Sequence, residues 1–210
     1  MARSTETGAT RHEEDRSVQL AQVRAAAEKE APKHRRLIKS AKGGARLSAA
    51  MLPFAMIRSP AGYGVLTTIG RKTGKVRRKV IRVIRKRNKA YLVQLRPPEI
   101  ARTDPSAVAA WVRNIRANPN VQLRIRRRTF RGVARELKEQ GELAQARVAI
   151  CETVNLTDYG ECSLHLRGFP TRAKIKELHR YWFDTGVPLV IELRGWRPFL
   201  TRVRSGRGSA

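Results

Sequence analysis

Apolar and polar residues alternate through the middle of the chain with the period of two that is typical of β-strands. The clearest case is Val121, Leu123 and Ile125, which alternate with glutamine and arginine. Several further short segments are rich in β-branched residues and are bounded by turn-forming residues, which indicates strands with short connections. The pattern predicts about six antiparallel strands, within residues 65–69, 76–87, 90–95, 121–125, 129–137 and 189–193.

Other segments carry apolar residues at helical spacing. One helix is expected to begin with Asp104 as its cap and Pro105 in its first turn, where a missing N–H is harmless, and to end at Asn118-Pro119. A long helical stretch over residues 33–58 is expected to break or kink near Gly43-Gly44. The expected helices lie within residues 11–30, 33–58, 104–118, 142–154 and 171–183. Strands followed and flanked by helices predict an α+β fold.

The formal net charge of +28 is concentrated in one part of the chain. Residues 33–138 contain 29 basic and 3 acidic side chains, a net charge of +26. Such a field attracts anions, so nucleic acid, an anionic membrane surface and an anionic small molecule are all candidate partners. Aromatic residues make up only 6% of the chain, which argues against base stacking on a sheet and thus against specific nucleic-acid binding.

The connection after the first predicted strand, Gly70-Arg71-Lys72-Thr73-Gly74, combines glycines, cations and a hydroxyl. Glycines permit a tight turn, and backbone N–H groups, a threonine hydroxyl and arginines are all suitable donors to a phosphate. The order of a Walker A loop is absent. A phosphate site and a basic solvent-exposed hairpin turn are equally compatible with this composition.

Two motifs stand out in this part of the chain. The first runs from Leu66 through the glycine turn to Arg77, and the second runs from Trp111 to Pro119. Their sequences and their order resemble those of the deazaflavin-dependent nitroreductase and quinone reductase family, over roughly residues 61–137. The resemblance implies a split β-barrel of the FMN-binding superfamily with flanking helices and an N-terminal helical extension. It also implies coenzyme F-420 as cofactor and hydride transfer between that coenzyme and an electron-poor small molecule such as a quinone or nitroaromatic.

The resemblance assigns one set of residues to the phosphate and tail of the coenzyme: Arg71, Lys72, Thr73, Gly74 and Arg77. Trp111 and Asn114 would belong to a helix that flanks the coenzyme. Val76 replaces a frequent proline, and Leu95–Ile100 contains two prolines where the family is usually rich in glycine, serine or lysine. Arg96 is a candidate to supply a basic contact there, and Tyr159 is a candidate contact for the second substrate.

Alternatives to this interpretation are a split barrel that binds FMN or haem and a non-enzymatic protein that binds nucleic acid or a membrane surface. The membrane alternative rests on residues 33–58, which are basic in their first half and apolar in their second. His12 and His34 are expected to be exposed, and His165 and His179 to be structural. Two cysteines, Cys151 and Cys162, suit a reducing compartment, although one disulfide stays possible.

For the domain organisation we expect an N-terminal extension over residues 1–32, a barrel domain over residues 33–203 with its core at 61–138, and a disordered tail over 204–210. The N-terminus carries no apolar signal segment and no run is long enough to span a bilayer. We therefore expect a cytoplasmic protein, with possible peripheral contact with the inner face of the membrane. The sequence leaves the oligomeric state open.

Overall fold

The alternating segments form one antiparallel sheet in a computed structural model, which describes residues 6–35 and 41–197. The strands are β1 (Tyr63–Ile69), β2 (Val76–Arg82), β3 (Ile84–Lys86), β4 (Lys89–Gln94), β5 (Asn120–Ile125), β6 (Arg128–Glu136) and β7 (Val187–Arg197). Their order across the sheet is β2-β1-β5-β6-β7-β4-β3. All pairs are antiparallel. The predicted α+β class is confirmed.

A single residue brings the two edges of this sheet together. β2 and β3 lie at opposite edges, yet only Val83 separates them along the chain. Consecutive Cα atoms are about 3.8 Å apart, so the sheet must curl until its edges meet. The sheet is therefore a split barrel, as the resemblance implied. Six strands were predicted and seven are present, because the predicted strand over 76–87 is divided at Val83 into β2 and β3.

Helices cover the barrel. They are α1 (Glu6–Glu30), α2 (Ala41–Arg58), α3 (Pro98–Thr103), α4 (Ala110–Ala117), α5 (Gln140–Glu152), α6 (Leu156–His165) and α7 (Arg172–Thr185), with a short 3-10 turn at Ala31–Lys33. The helices expected near α1, α5 and α7 are confirmed. No sequence pattern had predicted α3 or α6. None of the helices within the described residues is long and apolar enough to cross a bilayer.

The interior of the barrel is filled by apolar side chains from most strands and from α4. Leu66, Leu123, Ile191 and Val112 are all essentially inaccessible to solvent. Inner and outer faces alternate along β1, because Leu66 joins this interior cluster while Val65 packs with Ala55 of α2 on the outside. The sheet thus buries both of its faces along β1.

Two helix boundaries differ from the sequence prediction. α2 begins at Ala41 and continues through Gly43 and Gly44, so the helix is not broken at these glycines, and a kink there stays a prediction. Two glycines cost about 2 kcal/mol in helix propensity, and burial of α2 against β1 and β2 offsets this. Asp104 does not cap α4, since it follows α3 and accepts hydrogen bonds from Ser106 (2.6 and 3.1 Å), while α4 begins at Ala110.

The N-terminal helix docks on the barrel domain. Val23 and Ala27 of α1 form a small buried cluster with Ala101 of α3. Division of the chain at residue 32 stays a prediction, and the expected tail at 204–210 lies outside the described residues.

Candidate functional site

The connection between β1 and β2 is a closed, internally bonded turn. Gly70 donates its N–H to the carbonyl of Lys75 (2.9 Å), and Gly74 donates to the carbonyl of Gly70 (2.8 Å). Gly74 has φ of +63°, a left-handed conformation that favours glycine. The two glycines expected from the sequence to form a tight turn therefore do so.

Most backbone amides of this turn are already engaged. Arg71 donates its N–H to Asn114 Oδ1 (3.2 Å), Thr73 donates to the Gly70 carbonyl (3.2 Å), and Lys75 donates to Thr73 Oγ1 (3.4 Å). Among the donors of this turn, the Lys72 N–H, the Thr73 hydroxyl proton and the charged side chains have no acceptor within the described residues. Any phosphate at this turn is therefore bound chiefly by charged side chains.

Four cationic side chains of the turn and the start of β2 are exposed: those of Arg71, Lys72, Lys75 and Arg77. None of them forms an ion pair with a carboxylate within residues 6–35 and 41–197. Elsewhere arginines have carboxylate partners, such as Arg116 with Glu136 (2.6 Å) and Arg135 with Glu142 (2.7 Å). No acidic residue lies between positions 70 and 79 either. The turn is a concentration of uncompensated positive charge.

Asn114 supports this turn from inside the protein. It is buried on α4, accepts a hydrogen bond from the Arg71 N–H and donates its amide to Thr68 Oγ1 (3.4 Å). It thereby joins α4, β1 and the turn. Trp111, on the same helix, is buried in the barrel core. Neither residue presents its side chain at the protein surface.

Arg96 occupies a different environment from the turn arginines. It is buried, and its Nε and Nη1 donate to the carbonyls of Ala107 (3.2 Å) and Thr185 (2.6 Å). Tyr181 donates its hydroxyl to the Arg96 carbonyl (3.1 Å). Burial lowers the pKa of Arg96 below its usual value. In this conformation its guanidinium joins the loop after β4 to the last residue of α7 and to the loop before α4, and it does not fit the role of an exposed contact to the coenzyme.

Tyr159 lies on α6, and its side chain is 37% exposed. α6 approaches the far end of the β1–β2 hairpin, where Thr157 donates its hydroxyl to the carbonyl of Ala61 (2.7 Å). That end is separated from the turn by the length of β1, about 20 Å for a seven-residue strand. The structure therefore does not bring Tyr159 to the β1–β2 turn. Its role toward a second substrate stays a prediction.

A buried ionic cluster lies beneath α6 and was not predicted from the sequence. Arg82 donates to both carboxylate oxygens of Asp158 (3.3 and 3.4 Å) and to the carbonyl of Thr153 (3.0 Å), and it lies 3.4 Å from His179 Nδ1. Asp158 also accepts the N–H of Asn155 (2.7 Å), which completes a capping box for α6. The Asn-x-x-Asp pattern is the sequence signal that could have located this helix.

Asp158 and His179 also lie near Glu161, with ligand-type atoms of all three residues within 4.8 Å of one another. A divalent cation would need the carboxylate and imidazole atoms that already face the Arg82 guanidinium. Two like charges at that spacing repel each other strongly in a buried site. The cluster therefore matches an internal ion pair better than a metal centre.

The histidines are more buried than the sequence suggested. His34 was expected to be exposed, but it is buried against the ring of Tyr181 (5.2 Å between centroids), and the prediction is wrong. The side chain of His12 lies outside the described residues. Burial lowers the pKa of His34 and of His165 to about 4, and burial together with Arg82 lowers that of His179 to about 3. At pH 7 all three imidazoles are therefore neutral in the folded protein, those of His34 and His179 buried and that of His165 partly buried.

Both cysteines, Cys151 and Cys162, are buried free thiols. Burial raises the pKa of the Cys151 thiol to about 11, so the thiolate is disfavoured. This agrees with the expectation of two reduced cysteines.

Comparison with known proteins gives a family and several structural neighbours. The family model described as F420H(2)-dependent quinone reductase matches residues 56–163, just over half of the chain. No curated protein matches. One similar solved structure is an F420-H2 dependent reductase (16% identity, 63% of this chain and 95% of that chain, TM-score 0.41). At this identity and score, the neighbour carries no conclusion about this chain.

Two further neighbours are comparably distant. One is a conserved hypothetical protein from Mycobacterium tuberculosis (18% identity, 78% and 94% coverage, TM-score 0.44). The other is the haem storage protein HutZ from Vibrio cholerae (15% identity, 71% and 92% coverage, TM-score 0.40). The family match, by contrast, includes the β1–β2 turn, α4 and α6. The chain belongs to the F420H(2)-dependent quinone reductase family and is an F420-dependent oxidoreductase.

Proposed function

We propose that this protein binds the phosphate and anionic tail of coenzyme F420 at the β1–β2 turn and exchanges hydride with an electron-poor organic molecule, such as a quinone or a nitroaromatic. The observation that carries the proposal is the group of exposed cations that form no ion pair with the described residues, on a turn whose Arg71 N–H is bound by Asn114. The coenzyme supplies the hydride chemistry when bound, and the protein supplies binding, orientation and charge.

The residues divide by role. Arg71, Lys72 and Arg77 bind phosphate and carboxylate oxygens with their side chains, and the Thr73 hydroxyl donates a further hydrogen bond. Gly74 permits the turn, and Asn114 fixes it to α4.

Replacement of Arg71 by alanine should weaken coenzyme binding by roughly 10- to 100-fold, because each charge-assisted hydrogen bond contributes about 1.5–3 kcal/mol. Arg71→Lys should recover only part of the affinity, since lysine retains the charge without the planar donor fork. A fluorescence titration of the coenzyme measures both effects.

The matched control is Arg131→Ala, which removes an exposed arginine on β6. It should change the coenzyme Kd by less than about twofold at physiological salt, where charges more than about 8 Å apart are screened. Melting curves of all variants should coincide with that of the wild type, because the Arg71 side chain is exposed. Equal Kd values for Arg71→Ala and the wild type would exclude the turn as the phosphate site.

For the second substrate we propose the half-exposed region of α6 around Tyr159. This proposal is supported by the extent of the family match, which includes α6. A phenol can donate a hydrogen bond to a carbonyl or nitro oxygen.

We also propose peripheral contact with an anionic membrane through α2. Phe54 and Ile57 are 77% and 74% exposed and lie three residues apart, on one side of the helix. Ser59, just after α2, accepts the N–H of Arg126 (2.6 Å), which places the exposed arginine turn 126–128 beside the end of the helix. Apolar side chains next to arginines suit the interface of an anionic bilayer.

Co-sedimentation with vesicles tests this contact. Binding to phosphatidylcholine vesicles that contain phosphatidylserine should exceed binding to phosphatidylcholine alone, and Phe54→Ser with Ile57→Ser should lower it by about tenfold or more, since each buried apolar side chain contributes about 1.5–3 kcal/mol. Val148→Ser, which changes an exposed apolar residue on α5, serves as the control. Equal loss in both variants would refute a specific role for α2.

A further inference from the structure

Lys79 lies on β2, directly opposite Leu66 of β1. Directly opposed residues in an antiparallel pair project to the same face of the sheet. Leu66 is buried in the interior of the barrel, whereas Val80, the next residue after Lys79, is buried on the outer face with Ala55 of α2. The Lys79 side chain therefore projects toward the inner face of the barrel.

Lys79 is partly buried and unpaired. Within residues 6–35 and 41–197, no carboxylate or carbonyl oxygen accepts a hydrogen bond from its ammonium. Lys89, which is buried to a similar degree, has such a partner in Glu142 (3.2 Å). Burial alone lowers the pKa of Lys79 below its usual value. A partly desolvated cation without an acceptor is destabilising, and an anion bound beside it would relieve this.

The position of Lys79 relates it to the candidate phosphate site. Arg77 lies two residues earlier on β2, directly opposite Thr68, and thus projects to the same inner face. Thr68 accepts the amide of Asn114, which holds the turn. Residues two apart on a strand are separated by about 7 Å. Lys79 therefore lies one inward-facing position farther along β2 from the turn than Arg77.

We propose that Lys79 binds a second anionic group of the ligand, about 7 Å deeper than the phosphate at the turn. The ligand class is a small organic molecule that presents an oxyanion or a polarised carbonyl oxygen at that depth, and this group can come from the coenzyme or from the organic substrate. The identity of the ligand rests on the proposed function. The position of the Lys79 ammonium on the inner face, without a partner among the described residues, is independent of that function.

Lys79→Gln tests the proposal in two titrations. If the anionic group that Lys79 binds belongs to the coenzyme, the Kd of the coenzyme should rise roughly tenfold, as expected for loss of one charge-assisted hydrogen bond. If it belongs to the organic substrate, the coenzyme Kd should stay constant and KM for a quinone should rise by a similar factor. The matched control is Arg78→Gln, which removes the neighbouring exposed cation on the opposite face and should change either constant by less than about twofold.

A melting curve separates binding from a structural role. Lys79→Gln should melt at the same temperature as the wild type or higher, because it removes an unpaired and partly desolvated charge. A lower melting temperature accompanied by unchanged Kd and KM would overturn the proposal. Equal effects of Lys79→Gln and Arg78→Gln on binding would also overturn it, since only the general positive field would then be involved.

A measurement on the lysine itself keeps the inference separate from the proposed function. Reductive 13C-methylation labels the lysines, and the Lys79 signal is identified by its absence from the Lys79→Arg variant. Its pKa should rise when coenzyme or inorganic pyrophosphate is added. If the wild type binds no coenzyme, the proposed function fails, and a rise with pyrophosphate alone still supports an anion site at Lys79. An unchanged Lys79 pKa with both probes, at concentrations that shift other lysine signals, would overturn the inference.

Discussion

Replacement of Arg82 by alanine is expected to lower the free energy of unfolding by about 3–5 kcal/mol, since removal of one partner from a buried ion pair leaves the other charge uncompensated. The Asp158 carboxylate is completely buried, and Arg82 is the cation that donates to both of its oxygens. Arg82→Ala also leaves the Thr153 carbonyl without its donor. Urea denaturation of the two proteins at pH 7.5 measures the difference.

Arg116→Ala is the control for this prediction. Arg116 forms a shorter contact with Glu136 (2.6 Å) than Arg82 forms with Asp158, but half of its side chain is exposed. Exposed pairs typically contribute at most about 1 kcal/mol. If both substitutions lowered stability to the same extent, burial would not be what makes the Arg82 cluster important.

The protein should also lose about 5 kcal/mol of stability between pH 7 and pH 4.5, mainly through three histidines that are wholly or partly buried. His34, His165 and His179 have pKa values of about 4, 4 and 3 in the folded state, all below the ordinary value near 6.5. As the pH falls below 6.5, the unfolded chain therefore binds protons before the folded protein does. Stability is lost over this range at up to about 1.4 kcal/mol per pH unit for each histidine.

Glu161 acts in the opposite direction. Burial raises its pKa to about 7, so the folded protein binds this proton before the unfolded chain does. Stability is gained as the pH falls from about 7 to 4.5, and this offsets roughly one of the three histidines. Glu161→Gln should remove the offset and make the loss of stability with acid steeper.

Denaturation midpoints at pH 7.5, 6.5, 5.5 and 4.5 test both statements with the wild type and Glu161→Gln. The expected midpoint of the wild type begins to fall near pH 6.5, well above the pKa range of ordinary carboxylates. A midpoint that stays constant down to pH 4.5 would show that the three imidazoles are protonated in the folded protein, contrary to their burial.

Local patterns in the sequence were sufficient for most strands and for the candidate turn. Alternation at Val121, Leu123 and Ile125 predicted β5, because a strand with one buried side shows its period directly in the sequence. Gly70 and Gly74 predicted the tight turn, since a left-handed residue at position 74 is a local requirement of the backbone. The family motifs lie in the same segment, so sequence also identified the family.

The exposure and contacts of individual side chains, however, were decided by the tertiary structure alone. Arg71 and Arg96 have the same side chain and were assigned similar roles, but one is exposed on a turn and the other is fastened between the carbonyls of Ala107 and Thr185. His34 was expected at the surface and is buried against Tyr181, which lies almost 150 residues later in the chain. No local pattern reports which distant segment will cover a given side chain.

The same reason explains the buried cluster and the closure of the barrel. Arg82, Asp158 and His179 come from three separate parts of the chain and meet only because β2, α6 and α7 pack together. The edges of the sheet meet at Val83 because the strand order places β2 and β3 at opposite ends. Sequence determined the elements and the charge of the turn through interactions between near neighbours. The tertiary structure decided which charges are exposed to solvent and which are buried, because burial depends on contacts between residues far apart in the chain.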